Sequence, residues 1–216
     1  MATYSKSNFG QINGAVGEAV GTKWRGVKVM RSIPDKRKKG PSVLQQMTLA
    51  KMALAARQLS PIKEVLRRGY RDQKLSGITG YNAAIRAFIQ QSIAGEYPDF
   101  SVNYANMELS RGSLTPLSEV TLNHNDIGIL LSWELIDNET NSFPEDEVFI
   151  ILFNENTRVY STYVTKRINE GILIKRSLKP GQTTHIWLFA ANAGRVMSSN
   201  TIYAGSVGLP PNPEED

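Results

Sequence analysis

Gly128-Ile129-Leu130-Leu131-Ser132-Trp133-Glu134-Leu135 alternates around a single tryptophan. Successive side chains of an extended chain point to opposite faces, so Leu131, Trp133 and Leu135 share one side and go inward. Ile186, Leu188 and Ala190 repeat the pattern further on. From about residue 101 onward this period of two recurs, with candidate strands at Tyr104–Ser110, Ser118–Asn123, Gly128–Ile136, Glu147–Phe153, Arg158–Thr165, Gly171–Lys175, Thr184–Ala191 and Thr201–Ser206. Turn residues separate them at spacings of about 8–12 residues, which predicts an antiparallel β-sandwich over residues 101–208.

The chain has 216 residues, 41% of them apolar, 17 Gly, 10 Pro and no Cys. That composition supports one large domain or two small ones, and excludes collagen, wholesale disorder and disulfide scaffolds. Without cysteine, the strand layout resembles fibronectin type III and related immunoglobulin-like sandwiches more than antibody domains. That resemblance implies a fold and no activity. Residues 209–216, ending Pro213-Glu214-Glu215-Asp216, read as an acidic, proline-rich tail. The longest apolar runs, such as Val148–Phe153, are far shorter than the roughly 18 residues a membrane helix needs. The first twenty residues carry no basic head before an apolar stretch, so no secretory signal is expected and the cytoplasm is the expected location.

Residues 1–100 read differently, as a β-hairpin followed by about three helices, so the predicted class is α+β. Asn13-Gly14 is a hairpin signal, because tight primed turns need positive φ. Trp24–Arg31 alternates as one half-buried strand that Pro34 ends. Ser42 with Gln45 forms a capping box opening a helix over Val43–Leu59, with Val43, Met47, Ala50 and Leu54 inward and Leu44 and Met52 widening that face. Ser60-Pro61 restarts a helix that Gly69 closes, and a third runs from about Gly80 to Ala94 with Tyr81, Ile85, Phe88 and Ile89 inward.

Charge divides the chain as sharply as periodicity does. Residues 1–100 hold 17 Lys/Arg and 6 Asp/Glu, a net +11, whereas residues 101–216 hold 8 and 14, a net −6. The densest run is Lys36-Arg37-Lys38-Lys39, which repels itself unless an anionic partner orders it. Arg67, Arg68 and Arg71 add to this basic region, and Trp24-Arg25 precedes it. These nine residues are the candidate contacts for an acidic protein partner or for phosphates. Aromatic residues for stacking bases are sparse there, so base-specific reading is not expected.

Catalytic and metal-binding patterns are missing from the sequence. His124 and His185 lie in unrelated strands without helical pairing, and there is no nucleophile elbow, P-loop or dinucleotide fingerprint. The acidic stretch Asp137–Asn141 with Glu145-Asp146-Glu147 has Ser142 and Val148 where a calcium-binding EF-hand loop needs Gly and Glu, so it reads as an acidic hairpin loop. No catalytic residue, metal, cofactor or small-molecule substrate is expected.

Gly14-Ala15-Val16-Gly17, Gly21-Thr22-Lys23-Trp24-Arg25-Gly26, Val29-Met30-Arg31-Ser32, Tyr81-Asn82-Ala83-Ala84, Tyr97-Pro98-Asp99-Phe100 and Leu109–Leu114 together resemble an uncharacterised family, a domain of unknown function common in Bacteroidota. The resemblance spans nearly the whole chain. It departs where the family's Asn-Pro-Arg-Thr before the first helix is here Lys39-Gly40-Pro41-Ser42. It implies an intracellular protein with a C-terminal sandwich, some such proteins being phage-derived or virion components. The expected function is a non-enzymatic structural or assembly protein docking through its basic N-terminal half onto a protein partner or another copy. The alternative is a non-specific nucleic-acid-binding protein using the same cations.

Overall fold

A computed structural model describes residues 2–3, 13–24, 26–35, 40–72, 78–125, 127–136, 138, 140–192, 194 and 196–209. By the density of internal contacts the chain forms two compact units, Met1–Gln45 and Gln46–Asp216.

The first unit is a four-stranded antiparallel sheet of β1 (Ala2–Thr3), β2 (Gly14–Val16), β3 (Ala19–Trp24) and β4 (Val27–Ser32), in the order β1-β4-β3-β2. Its turns differ from those expected. Val16 pairs with Ala19 and Trp24 with Val27, so the chain reverses tightly at Gly17-Glu18 and again next to Gly26. Gly17 at φ +58° and Gly26 at φ +85° supply the left-handed backbone such loops demand. The expected hairpin at Asn13-Gly14 is therefore displaced, and the strand expected over Trp24–Arg31 is two strands.

The second unit opens with α1 (Val43–Leu59), α2 (Lys63–Gly69) and α3 (Gly80–Gln91). The capping box forms as the sequence predicts: Ser42 N–H donates to Gln45 Oε1 at 3.1 Å, and Gln45 N–H donates to Ser42 Oγ at 3.4 Å. The inward face of α1 forms only in part. Val43, Leu44 and Met52 are exposed, and Met47, Ala50 and Leu54 are half-buried, with Leu54 packed on the core. Full burial begins at Ala55, Gln58 and Leu59, towards the helix's C-terminal end. A Thr79 cap opens α3, which ends at Gln91 because β5 (Ile93–Ala94) pairs with β6 (Ser101–Val102).

The longer strands that follow pair antiparallel, and among the described residues no barrel closes. β7 (Ser118–Asn125), β8 (Gly128–Glu134) and β11 (Gly171–Lys175) form a three-stranded sheet ordered β11-β8-β7. β9 (Glu147–Asn154), β10 (Val159–Lys166), β12 (Thr183–Asn192), β13 (Met197–Ser198) and β14 (Ile202–Gly208) form a five-stranded one, with β12 paired to β9, β13 and β14. Tyr104–Asn106, expected to start a strand, is a 3-10 turn instead.

Alternation along β9 and β12 builds two cores. Val148, Ile150, Leu152, Ile186 and Leu188 pack against Ile129, Leu131, Trp133 and Ile174 of the three-stranded sheet. Their neighbours Ile151, Phe153, Trp187 and Phe189 face the other way and pack against Leu59, Leu66, Ile85 and Phe88 of the helices. The helical residues thus share a core with the β-strands within the compact unit Gln46–Asp216.

Candidate interaction surface

Residues paired across an antiparallel ladder lie on the same face. In the first unit Val20 is opposite Arg31 and Thr22 opposite Val29, while Lys23 is opposite Lys28. Two like charges so placed oppose each other. Gly21 and Val29 are the buried residues among those described in this unit, while Val16 and Val27 are exposed at 61% and 46%. Antiparallel sheets normally bury one face; this one leaves apolar side chains in water.

Of the site residues expected from sequence, Arg25, Lys36, Arg37, Lys38 and Lys39 lie outside the described residues, as do Asp137, Glu139 and the tail from 210. Trp24 ends β3. The three arginines of the α2 region divide by role. Arg67 donates to Glu64 Oε1 at 2.7 Å on the helix surface, and Arg68 reaches Glu147 Oε2 at 2.9 Å, tying α2 to β9. Arg71 is exposed just beyond the helix end. Two acids of the acidic stretch are likewise taken up internally: Asp146 is buried beside Arg167, and Glu147 is the partner of Arg68.

Arg86 lines a cavity of about 270 Å³ with Tyr70, Gln90 and Arg111. Its neighbour Arg111 is held by Glu108 at 2.5 Å. Burial pushes the Tyr70 hydroxyl well above its usual range, with Glu108 adding to the effect, so it is a neutral donor to Glu108 O. Only distance in space could have revealed this pair, since α3 and residue 111 share no local pattern.

His185 is the one histidine with a polar chain around it among the described residues. Its Nδ1 is 2.8 Å from Tyr203 Oη, its Nε2 is 3.4 Å from Glu155 Oε2, and its ring stacks on Tyr104 with centroids 4.2 Å apart. Burial lowers its pKa, against the opposing hydrogen bond and charge of Glu155, while burial raises that of Tyr203. Both effects favour neutral groups, and the His185–Tyr203 contact joins β12 to β14. Among the described residues no three His, Cys, Asp or Glu side chains gather closely enough to hold a metal ion, and no helix is long and apolar enough to cross a membrane.

No curated protein matches the chain. A family of unknown function (DUF6266) matches it over residues 11–205, nearly its whole length, and the chain belongs to that family.

Proposed function

We propose that this chain is a non-enzymatic structural protein of a multi-protein assembly, such as a virion or another intracellular particle. Its cationic N-terminal half docks on the acidic C-terminal half of a neighbouring copy. The observation that carries the reading is the first unit's sheet, which buries little more than Val29 among its described residues. A sheet of that size without a covered face is marginal in water and gains most from a partner. The partner's chemistry follows from charge: residues 1–45 hold nine Lys/Arg against two Asp/Glu, and residues 101–216 carry a net −6. One chain with both surfaces associates head to tail. The paired sheets around Trp133 support an immunoglobulin- or fibronectin-III-like sandwich as the displayed body.

Light scattering across concentration tests this. Masses above 24.0 kDa that fall as salt rises support head-to-tail docking, and a strict monomer at about 100 μM in low salt overturns it. Non-specific nucleic-acid binding is the second reading, favoured by Lys36–Lys39 together with exposed Arg71. Its signature is salt-sensitive affinity for a generic duplex at about 50 mM salt.

A further inference from the structure

At one end of the two sheets the β9–β10 turn, the β11–β12 connection, the end of β7 and the residues after β14 converge on two adjoining cavities. The first, of about 210 Å³, is lined by Asn154, Thr157, Arg176, Lys179, Gln182 and Thr184, together with Ser177 and Leu178. Its described lining contains two cations, amides and hydroxyls, and no carboxylate. Its frame is fixed: Asn154 Nδ2 donates to Gln182 Oε1 at 2.9 Å, and Asn154 Oδ1 accepts from Thr157 N–H at 2.8 Å and from Thr157 Oγ1 at 3.0 Å. Because Gln182 Oε1 is an acceptor there, its Nε2 remains as a donor. Arg176 donates through Nη1 to Ser161 Oγ at 3.2 Å, which orients the guanidinium and keeps Nε and Nη2 for another acceptor. The single carboxylate of the turn, Glu155, is directed to His185. The second cavity, of about 410 Å³, shares Ser177 and Leu178 with the first and adds Leu209, His124 and Asn125.

We propose that these cavities form a binding site for a small molecule with an anionic head, phosphate or carboxylate, and a short apolar body. The head sits between Arg176, Lys179 and Gln182, where cations and donors converge without a competing carboxylate. The body lies over Leu178 against Leu209. This site is independent of the docking reading, since it lies in the second unit and uses none of the N-terminal cations.

The test is an amide-shift titration of the isotope-labelled full chain at constant ionic strength with inorganic phosphate, phenyl phosphate and benzoate. Saturable shifts confined to residues 154–157 and 176–184 are expected with phosphate. They extend to 124–125 and 209 with phenyl phosphate, which binds about tenfold tighter through its buried ring. Benzoate distinguishes a carboxylate head from a phosphate head by which binds more tightly. Arg176→Gln with Lys179→Gln weakens all three at least about tenfold. Should that double variant misfold, exposed Lys179→Gln alone must weaken binding by about threefold. No saturable shift up to about 50 mM, or shifts that survive the double variant, overturns the site.

Discussion

The Arg167 guanidinium lies 3.6 Å from the Asp146 carboxylate, and neither side chain has any solvent exposure. The two ends of the pair are unequally supported. Asp146 also accepts from Phe143 N–H at 3.0 Å and from Asn192 Nδ2 at 2.7 Å. Arg167 donates through Nη2 to Thr115 O at 2.7 Å, while its Nε and Nη1 have no hydrogen-bond partner. Removing Asp146 therefore strands a buried cation, whereas removing Arg167 leaves an anion with two donors still on it. Asp146→Ala is expected to cost about 3–5 kcal/mol and Arg167→Met clearly less. Urea unfolding of both variants checks the order, and equal losses would refute the asymmetry.

Gly69 ends α2 with its backbone pressed on the chain that returns beneath it. A Cβ there would stand 2.4 Å from Leu109 O and 2.7 Å from Ser110 Cβ, neither of which is free to move aside. Its own carbonyl accepts from Arg111 N–H at 3.1 Å and Ser198 Oγ at 2.7 Å. Gly69→Ala is expected to lower stability by about 3 kcal/mol, while Gly40→Ala, with open space around it, stays within about 0.5 kcal/mol. Thermal denaturation of the pair settles it.

How far the sequence discloses these features depends on whether a residue's environment is local. β8 is legible because one of its faces is buried and the other wet, so Leu131 and Trp133 stand out by alternation. In β9 and β12 both faces are buried, and Val148–Phe153 reads as an unbroken apolar run that conceals the helical layer behind it. Segment 104–110 has the composition of a strand, but side chains replace ladder partners: Thr201 Oγ1 accepts from Leu109 N–H at 2.9 Å and Ser110 N–H at 2.7 Å. The basic residues show the same limit. Nothing local separates Arg68 from Arg67 or Arg71, because the partner that makes Arg68 structural, Glu147, is 79 positions away.

His185 gives stability a pH dependence of definite sign. Burial holds its folded pKa below the ordinary value of 6.5, so the unfolded chain binds the proton more readily. The groups facing it are Glu155, Tyr203 and Tyr104, with Trp187 beside them. Its contribution is therefore complete above about pH 7 and is lost as pH falls through 6.5 towards the folded value, by at most about 1.4 kcal/mol per pH unit. Urea midpoints between about pH 7.5 and 5.5, above the range where ordinary carboxylates titrate, should fall for the parent chain and stay flat in His185→Gln. An identical slope in the variant would move the effect elsewhere.

Arg68 and the cationic run make opposite predictions about stability and association. Arg68 joins two elements of the core and is largely shielded, so Arg68→Ala should cost about 1 kcal/mol and leave the oligomeric mass unchanged. Replacing Lys36, Arg37, Lys38 and Lys39 with Ala removes four like charges that repel one another, so stability should change by less than about 0.5 kcal/mol. The same replacement lowers the net charge of residues 1–100 from +11 to +7 and weakens the force that draws an acidic surface. Light scattering at low salt should then show the monomer where the parent chain associates, and the salt dependence of association should flatten. Arg71→Ala, at an exposed position beyond α2, should move neither quantity if the contact lies on the first unit, and should weaken association alone if it extends to the helices. A fall in melting temperature for the four-residue variant comparable with that of Arg68→Ala would mean the run is part of the fold, and docking would have to be sought in the uncovered faces of β3 and β4.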